Sequence, residues 1–275
     1  MSADKSALQT FDHGFRNAHP LLVGVDEAGR GPLAGPVTAA AVTFDPDVEN
    51  FHLIRDSKKL SEKQRQEAYE WITDHAKAWS VRSLGVQAIN KTNILKAAMD
   101  AMEKAVEKLS ADIESMADGL TPEVGSRQAY ILIDGNRVPE GLKGRGEAVI
   151  KGDAHSFCIA AASILAKVTR DRIMKRWSEI YPEYGFAKHK GYGTGEHIRA
   201  INEHLPTPIH RRYFSPVKNM NFPFHPSTQK LGRWGENWAI YYLVLKGYHF
   251  VQRNYHGGNE GEIDVIMKKG EQFIM

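Results

Sequence analysis

The chain has 275 residues, of which 42% are hydrophobic and 25% are charged, an ordinary balance for a globular protein. No segment approaches the roughly 18 consecutive apolar residues of a membrane-spanning helix, so no association with a membrane is expected. The net charge of +3 permits a polyanionic partner without requiring one, and the single cysteine excludes an intramolecular disulfide or a thiolate zinc cluster.

The N-terminal segment is polar as far as Asn17 and has no apolar core. This composition predicts a short disordered tail over residues 1–18 and no secretory signal. Cys158 lies in an apolar, alanine-rich stretch, where a buried hydrophobe is expected rather than a reactive thiol. These features together predict a cytoplasmic protein.

Three strands are expected in the first third of the chain. The apolar run 21–25 is followed by a glycine- and proline-rich turn over 29–36 and by a second apolar run over 37–44. Two such runs joined by a glycine turn predict neighbouring antiparallel strands. Residues 79–86 resemble a third strand, although their alternation of apolar and polar residues is imperfect.

Helices and further strands follow. A capping-box pattern opens a helix over about 61–77, and apolar residues at three- and four-residue spacing indicate an amphipathic helix over 94–109. Residues 130–133 read as a buried strand, and 156–177 as a helix that begins with many alanines. This order predicts an α/β fold, with helices on the faces of a mixed sheet.

The end of the chain reads as a separate segment. Residues 206–226 are loop-like and rich in proline, and a helix and two possible strands follow. We place a boundary near 223–227, so that residues 19–222 form the main domain and 227–275 a small C-terminal segment.

Four acidic residues stand at or just beyond the ends of apolar runs: Asp26, Glu27, Asp134 and Asp153. Neighbouring parallel strands would place Asp26 and Asp134 side by side. Crowded carboxylates repel one another, and a hard divalent cation such as Mg²⁺ or Mn²⁺ relieves that repulsion. Two such ions can clamp a phosphodiester during attack by water. Any one of these acids could equally cap a helix or a turn, but the set of four favours a metal site.

Seven segments carry a resemblance to a known family: Gly24–Val37, Asp56–Ser61, Ile133–Asn136, Lys151–Ala154, Ala160–Asp171, His189–Thr194 and His210–Val217. Their residues and order closely resemble those of ribonuclease HII, the type 2 ribonuclease H, over about Pro20–Lys218. The resemblance implies a ribonuclease H-like mixed five-stranded sheet with flanking helices. It also implies that Asp26, Glu27, Asp134 and Asp153 are the catalytic, metal-binding carboxylates, with Asp26 shared between two ions.

The same resemblance implies a function. Members of the family hydrolyse the RNA strand of RNA–DNA hybrids and cut on the 5′ side of single ribonucleotides embedded in duplex DNA. They leave 5′-phosphate and 3′-hydroxyl ends, use Mn²⁺ or Mg²⁺, and remove ribonucleotides during DNA replication and repair. A monomer is expected, and the sequence names no protein partner.

The turn Gly29-Arg30-Gly31 is suited to reading a ribose, because glycine lets the backbone approach a sugar closely and only RNA offers a 2′-hydroxyl. By the resemblance, Tyr192 packs against the sugar beside the cut. The competing interpretations are a solvent-facing turn residue for Arg30 and a partly buried aromatic for Tyr192.

Further polar residues are candidates for contacts with phosphates. They are Ser57, Lys58 and Lys59, for which a solvated helix entrance is the alternative. Other positive groups are expected to be ordinary surface charges, and their histidines to form hydrogen bonds rather than to bind metal. These groups are Lys188, His189, Lys190, His210, Arg211 and Arg212.

The C-terminal segment resembles the start of the small YraN-like family of nuclease-like proteins, through Gly232–Glu236, Ala239–Leu243, Lys246–Tyr248, Arg253–Tyr255 and Gly261–Ile266. Glu236 and Asp264 match two acids of that family. The Glu-x-Lys strand that should follow is not matched, because Phe273 stands where lysine is required. We therefore expect an incomplete module with a small core, without catalysis and dispensable for ribonuclease activity.

Two other functions compete with this interpretation. A catalytically silent nucleic-acid-binding protein would tolerate Asn or Ala at the acidic positions, and all four acids are present. A fusion of two active nucleases would need the Glu-x-Lys pair near the C-terminus, which does not follow Asp264.

Overall fold

The computed structural model describes residues 6–116, 129–220, 227–258 and 261–275. The chain divides into two compact units. Unit 1 comprises Met1–Gly31 with Pro36–Ile173, and unit 2 comprises Pro32–Gly35 with Met174–Met275. This division differs from the boundary predicted near 223–227, most of which lies outside the described residues.

Unit 1 is built on five strands among the residues described. The strands are β1 Leu22–Ala28, β2 Val37–Thr43, β3 Ala78–Leu84, β4 Tyr130–Asp134 and β5 Gly146–Val149. The helices are α1 Ala7–Arg16, α2 Glu62–His75, α3 Val86–Lys91, α4 Ile94–Met116 and α5 Phe157–Ile180, the last of which continues into unit 2.

The five strands form one mixed sheet in the order β3-β2-β1-β4-β5. β1 pairs antiparallel with β2 and parallel with β4, and β5 is parallel to β4. The register aligns Val25 with Ile133, so the residues that follow them, Asp26 and Asp134, share one edge of the sheet. The predicted mixed five-stranded sheet and the predicted antiparallel first pair are confirmed.

Successive strand residues point to opposite sides of the sheet, so each strand contributes apolar side chains to both faces. Helices cover both faces. Ala40 and Val42 of β2 join a core with the alanines of α5, whereas Ala39 and Ala41 pack with α4. Helix α5 lies directly on β1. A Cβ atom at Gly24 would stand 2.1 Å from the carbonyl carbon of Cys158, so only glycine fits there. Cys158 is fully buried, as predicted.

The predicted N-terminal tail is wrong for residues 7–16, which form α1. A reciprocal capping box between Ser6 and Gln9 starts this helix, and such pairs satisfy backbone donors that would otherwise need water. Its Asp12 is buried and accepts a hydrogen bond from the backbone N–H of Cys158 at 2.9 Å. The acid therefore caps the N-terminus of α5, which the polar composition of the segment did not reveal.

Unit 2 contains the helices α6 Phe186–His189, α7 Gly195–His204 and α8 Thr228–Leu245, and the strands β6 His249–His256, β7 Glu262–Lys269 and β8 Gln272–Ile274. The three strands form a separate antiparallel sheet in the order β6-β7-β8. Considering the residues with a described placement, no helix of either unit is long and apolar enough to cross a membrane.

The C-terminal segment shares its core with the rest of unit 2. Ile240 and Tyr241 of α8 and Met267 of β7 are buried in one cluster with Tyr181. The Tyr181 hydroxyl donates to the backbone oxygen of Asn237 at 3.1 Å. The segment therefore does not depend on the small core of its own that the sequence predicted, because apolar side chains from before and after residue 227 bury one another.

Two adjacent tyrosines test this shared core. Tyr241 is 6% exposed and Tyr242 is 59% exposed. Replacing Tyr241 by Ala should lower the free energy of unfolding by about 3 kcal/mol, because it removes a buried aromatic and leaves a cavity. Tyr242→Ala is the matched control and should change it by less than about 0.5 kcal/mol. Chemical denaturation measures both, and equally small effects would show that the shared core of unit 2 does not depend on Tyr241.

Candidate active site

Asp26 is the most enclosed of the acidic residues. It lies on β1, is only 5% exposed, and its Oδ1 accepts the backbone N–H of Glu27 at 2.6 Å. The Ser163 hydroxyl from α5 also hydrogen-bonds to it, and Ser163 in turn lies 2.9 Å from the Ser57 hydroxyl. Two serines behind the carboxylate therefore fix its orientation.

Asp134 and Asp153 are joined through a tight turn. The Oδ1 atom of Asp134 accepts the backbone N–H of Gly152 at 2.7 Å, and Asp153 is the next residue. Lys151 has a left-handed backbone with φ 55°, which turns the chain here. A Cβ atom at Gly152 would lie 2.5 Å from the Cδ1 atom of Ile159, so a larger residue here would displace the end of that side chain.

The carboxylates influence one another electrostatically. Burial raises the pKa of Asp26 well above its usual value, and the charges of Glu27 and Asp134 raise it further. Burial also raises the pKa of Asp134, and the charge of Asp153 raises it further, whereas the hydrogen bond from the Gly152 N–H lowers it. The pKa of Glu27 is raised by burial, against the opposing charge of Arg30. The structure thus brings the four predicted acids into one cluster.

Two of the acids face cations of the protein. Arg30 Nη1 lies 3.2 Å from Glu27 Oε1, and Lys58 Nζ lies 3.4 Å from Asp153 Oδ2. In this arrangement no three His, Cys, Asp or Glu side chains of the described ranges converge as ligands of one ion. The possible metal ligands are carboxylate oxygens, and the pKa values of three of the four carboxyl groups are raised. Oxygen ligands of this kind fit a hard divalent cation.

A cleft of about 250 Å³ opens beside the cluster. Glu27 and Asp134 line one part of it, and Arg30 and Arg137 bring positive charge to its wall. Apolar side chains of α4, among them Met99, form the remainder. The cleft therefore opens to solvent beside Glu27 and Asp134.

The predicted sugar-reading turn is held from behind by a buried arginine. Gly29 has φ 98°, and a Cβ atom there would lie 2.1 Å from Arg170 Nε. That nitrogen donates to the Pro36 backbone oxygen at 2.9 Å. Glycine is therefore required at 29 by both conformation and space. Sequence reasoning missed Arg170 as a support, although it lies in a segment of the family resemblance.

The predicted phosphate contacts differ in their accessibility. The side chain of Lys58 is 82% exposed, with its ammonium beside Asp153. Ser57 is buried, and its hydroxyl points to Ser163 rather than to solvent. Sequence reasoning also missed Ser163, whose signal is a lone hydroxyl in the alanine-rich start of α5.

The remaining candidates belong to unit 2. The Tyr192 ring is 46% exposed, and its backbone N–H donates to the His189 oxygen at 2.9 Å. His189, Lys190, His210 and Arg211 are buried, so the expectation of surface charges is wrong for them. Backbone oxygens explain the difference for Arg211, which donates to Gly35 at 3.0 Å and Pro32 at 2.8 Å. The histidines form hydrogen bonds, as expected.

Carboxylates at the ends of neighbouring strands in this mixed sheet define a phosphodiester hydrolase with a ribonuclease H-like fold. The crystal structure of the ribonuclease H2 from Pyrococcus horikoshii OT3 is similar, with a TM-score of 0.53 and 26% identity, over 72% of this chain and 95% of that one.

The family model described as Ribonuclease HII matches residues 23–217, and that of the Uncharacterised protein family UPF0102 matches residues 235–275. Ribonuclease HII of Marinomonas sp. is 50% identical over 73% of this chain and 92% of its own length. That of Idiomarina loihiensis is 48% identical over 73% of this chain and 98% of its own. The chain belongs to the ribonuclease HII family, endonucleases of the RNA strand of RNA–DNA hybrids.

Replacing Asp26 by Asn should stabilise the protein in chelator at pH 8. Because burial and neighbouring acids raise its folded-state pKa, ionised Asp26 destabilises the fold at high pH. That cost is relieved as the pH falls through the folded-state pKa towards the unfolded-state value. The gain in melting temperature should therefore shrink between pH 8 and pH 5. The exposed Asp47→Asn is the control, and a variant less stable than wild type at pH 8 would contradict this account.

Proposed function

We propose that the acid cluster cuts RNA–DNA hybrids, and duplex DNA with single embedded ribonucleotides, on the 5′ side of the ribonucleotide. The products are 5′-phosphate and 3′-hydroxyl ends. The supporting observation is the crowding of buried Asp26 with Glu27 and Asp134, an arrangement that is costly without a counter-charge. We further propose that the enzyme acts as a cytoplasmic monomer that removes ribonucleotides during DNA replication and repair.

Asp26, Glu27, Asp134 and Asp153 would hold two Mg²⁺ or Mn²⁺ ions. When bound, such ions supply Lewis-acid stabilisation of charge on the phosphoryl oxygens and a water of lowered pKa. The protein's own contribution is orientation. Ser163 holds Asp26 from behind, and the Gly152 N–H holds Asp134, so neither carboxylate must be ordered during the reaction.

Recognition of the substrate falls to neighbouring groups. The Gly29-Arg30-Gly31 turn and the exposed ring of Tyr192 would read the ribose, and the exposed ammonium of Lys58 would meet a phosphate near the cut. Ser57 is buried and would act on the reaction through Ser163 and Asp26.

Replacing Asp134 by Asn keeps the shape of the side chain and removes its charge. We expect a loss of about a thousandfold in cleavage rate, or roughly 4 kcal/mol of barrier. Chelation should abolish wild-type cleavage, and Mn²⁺ or Mg²⁺ should restore it. Asp47→Asn on the exposed surface should retain the wild-type rate. Full activity in chelator would rule out the metal-dependent mechanism.

Replacing Tyr192 by Ala should slow cleavage at a single ribonucleotide by at least about tenfold, because the ring no longer packs on the sugar. Binding of the duplex should change little, since it rests on phosphates and weakens as salt rises. The exposed Tyr213, replaced by Ala, is the control in the same unit. The assay compares cleavage of a duplex that contains one ribonucleotide with cleavage of an all-DNA duplex. A normal rate for the Tyr192 variant would contradict the assignment.

A further inference from the structure

Three buried histidines of unit 2 lie in contact around the backbone of Tyr192. His197 is 0% exposed, and His189 and His210 are also buried. The rings of His189 and His197 stack with centroids 4.4 Å apart, and the Nε2 atoms of His197 and His210 are 3.0 Å apart. The acid cluster does not explain this group, because the three rings bond to residues of unit 2.

The hydrogen-bond partners fix the tautomers of two of these rings. The Thr207 backbone N–H donates to His210 Nδ1 at 2.9 Å, so the proton of His210 is on Nε2. His210 Nε2–H can then donate only to an unprotonated His197 Nε2. The proton of His197 is therefore on Nδ1, which donates to the Tyr192 backbone oxygen at 2.9 Å. The donors run in one direction, from Thr207 through two histidines to Tyr192.

His189 holds the other side of the same peptide segment. Its Nδ1 accepts the Gly191 backbone N–H at 3.2 Å, and its Nε2–H donates to the Tyr184 oxygen at 2.7 Å. Its own backbone oxygen accepts the Tyr192 N–H at 2.9 Å. The Tyr192 backbone N–H is thus held by His189, and its oxygen by His197 and by the Thr194 backbone N–H at 2.8 Å, while the side chain remains exposed.

The rings are suited to a fixed rather than a switching role. Burial lowers the pKa of His197 to about 4 and that of His210 well below its usual value. The chain of histidines is therefore neutral near pH 7, as the tautomers require. Neutral, buried hydrogen bonds of this kind are rigid because no water competes for them.

We propose that His197 is a positioning residue, oriented by His210, whose Nδ1–H fixes the backbone oxygen of Tyr192 and so presents its ring to the sugar. This inference rests on the proposed role of Tyr192 in reading the ribose. Fixing the backbone leaves the exposed ring fewer orientations, so less conformational freedom is lost when substrate arrives. The chain acts only through Tyr192, and its effect should vanish when that ring is absent.

Two amide variants separate this role from packing. In His197→Asn the side-chain N–H stands at the δ position and can still donate to the Tyr192 oxygen. In His197→Gln the amide lies one bond further out and that donor is lost. On a duplex with one ribonucleotide, kcat should fall at least about tenfold in His197→Gln and less than about threefold in His197→Asn, with KM little changed. Assays well below both melting temperatures keep lost stability from mimicking lost activity.

A double-mutant cycle completes the test. His197→Gln should not slow the Tyr192→Ala enzyme further, because residues that act through one another are not additive. A further tenfold loss in that background, or equal activity of the Asn and Gln variants, would overturn the positioning role. If Tyr192→Ala itself cleaves normally, the sugar-reading proposal fails and this inference fails with it. An impaired Tyr192→Ala with additive His197→Gln overturns this inference alone.

Discussion

The position of Asp26 at the edge of the sheet depends on how closely α5 approaches the strands. At Gly24 the strand has no room for even one carbon beyond the backbone, because the Cys158 peptide of α5 lies against it. The alanines that follow keep the helix at this distance. One turn beyond Cys158, Ser163 consequently reaches Asp26 with its hydroxyl. A larger residue at position 24 would push the helix outward and separate this serine from the carboxylate.

A second close approach fixes the next acid. Gly152 packs against the end of the Ile159 side chain of α5, and its N–H holds Asp134. Packing thus brings together carboxylates whose like charges repel one another. The fold tolerates their burial because serine hydroxyls, backbone N–H groups and the pairs with Arg30 and Lys58 offset part of the cost. Stability is given up locally where a divalent counter-charge would recover it.

The strands and the positions of the acids at their ends were predictable because local sequence patterns indicate them. Apolar runs that end on Asp26 and Asp134 placed both acids at one sheet edge, and the parallel pairing confirms it. Buried cations were not predictable in this way. Arg170 and Arg211 can be buried because distant backbone oxygens accept hydrogen bonds from their guanidinium groups, and no local sequence pattern indicates such partners. The histidine chain was not predictable for the same reason, because the bond between His197 and His210 joins residues 13 positions apart.

The C-terminal segment shows how matched acids acquire another use. Glu236 is engaged by Arg253 at 3.0 Å and by Arg233 at 3.4 Å, so guanidinium groups already balance its charge. Arg253 also donates to the Asn237 side-chain oxygen at 2.6 Å, which joins β6 to α8. Asp264, the other matched acid, is exposed on β7. Through these pairs Glu236 supports the packing of α8, which favours a structural role for the segment in unit 2.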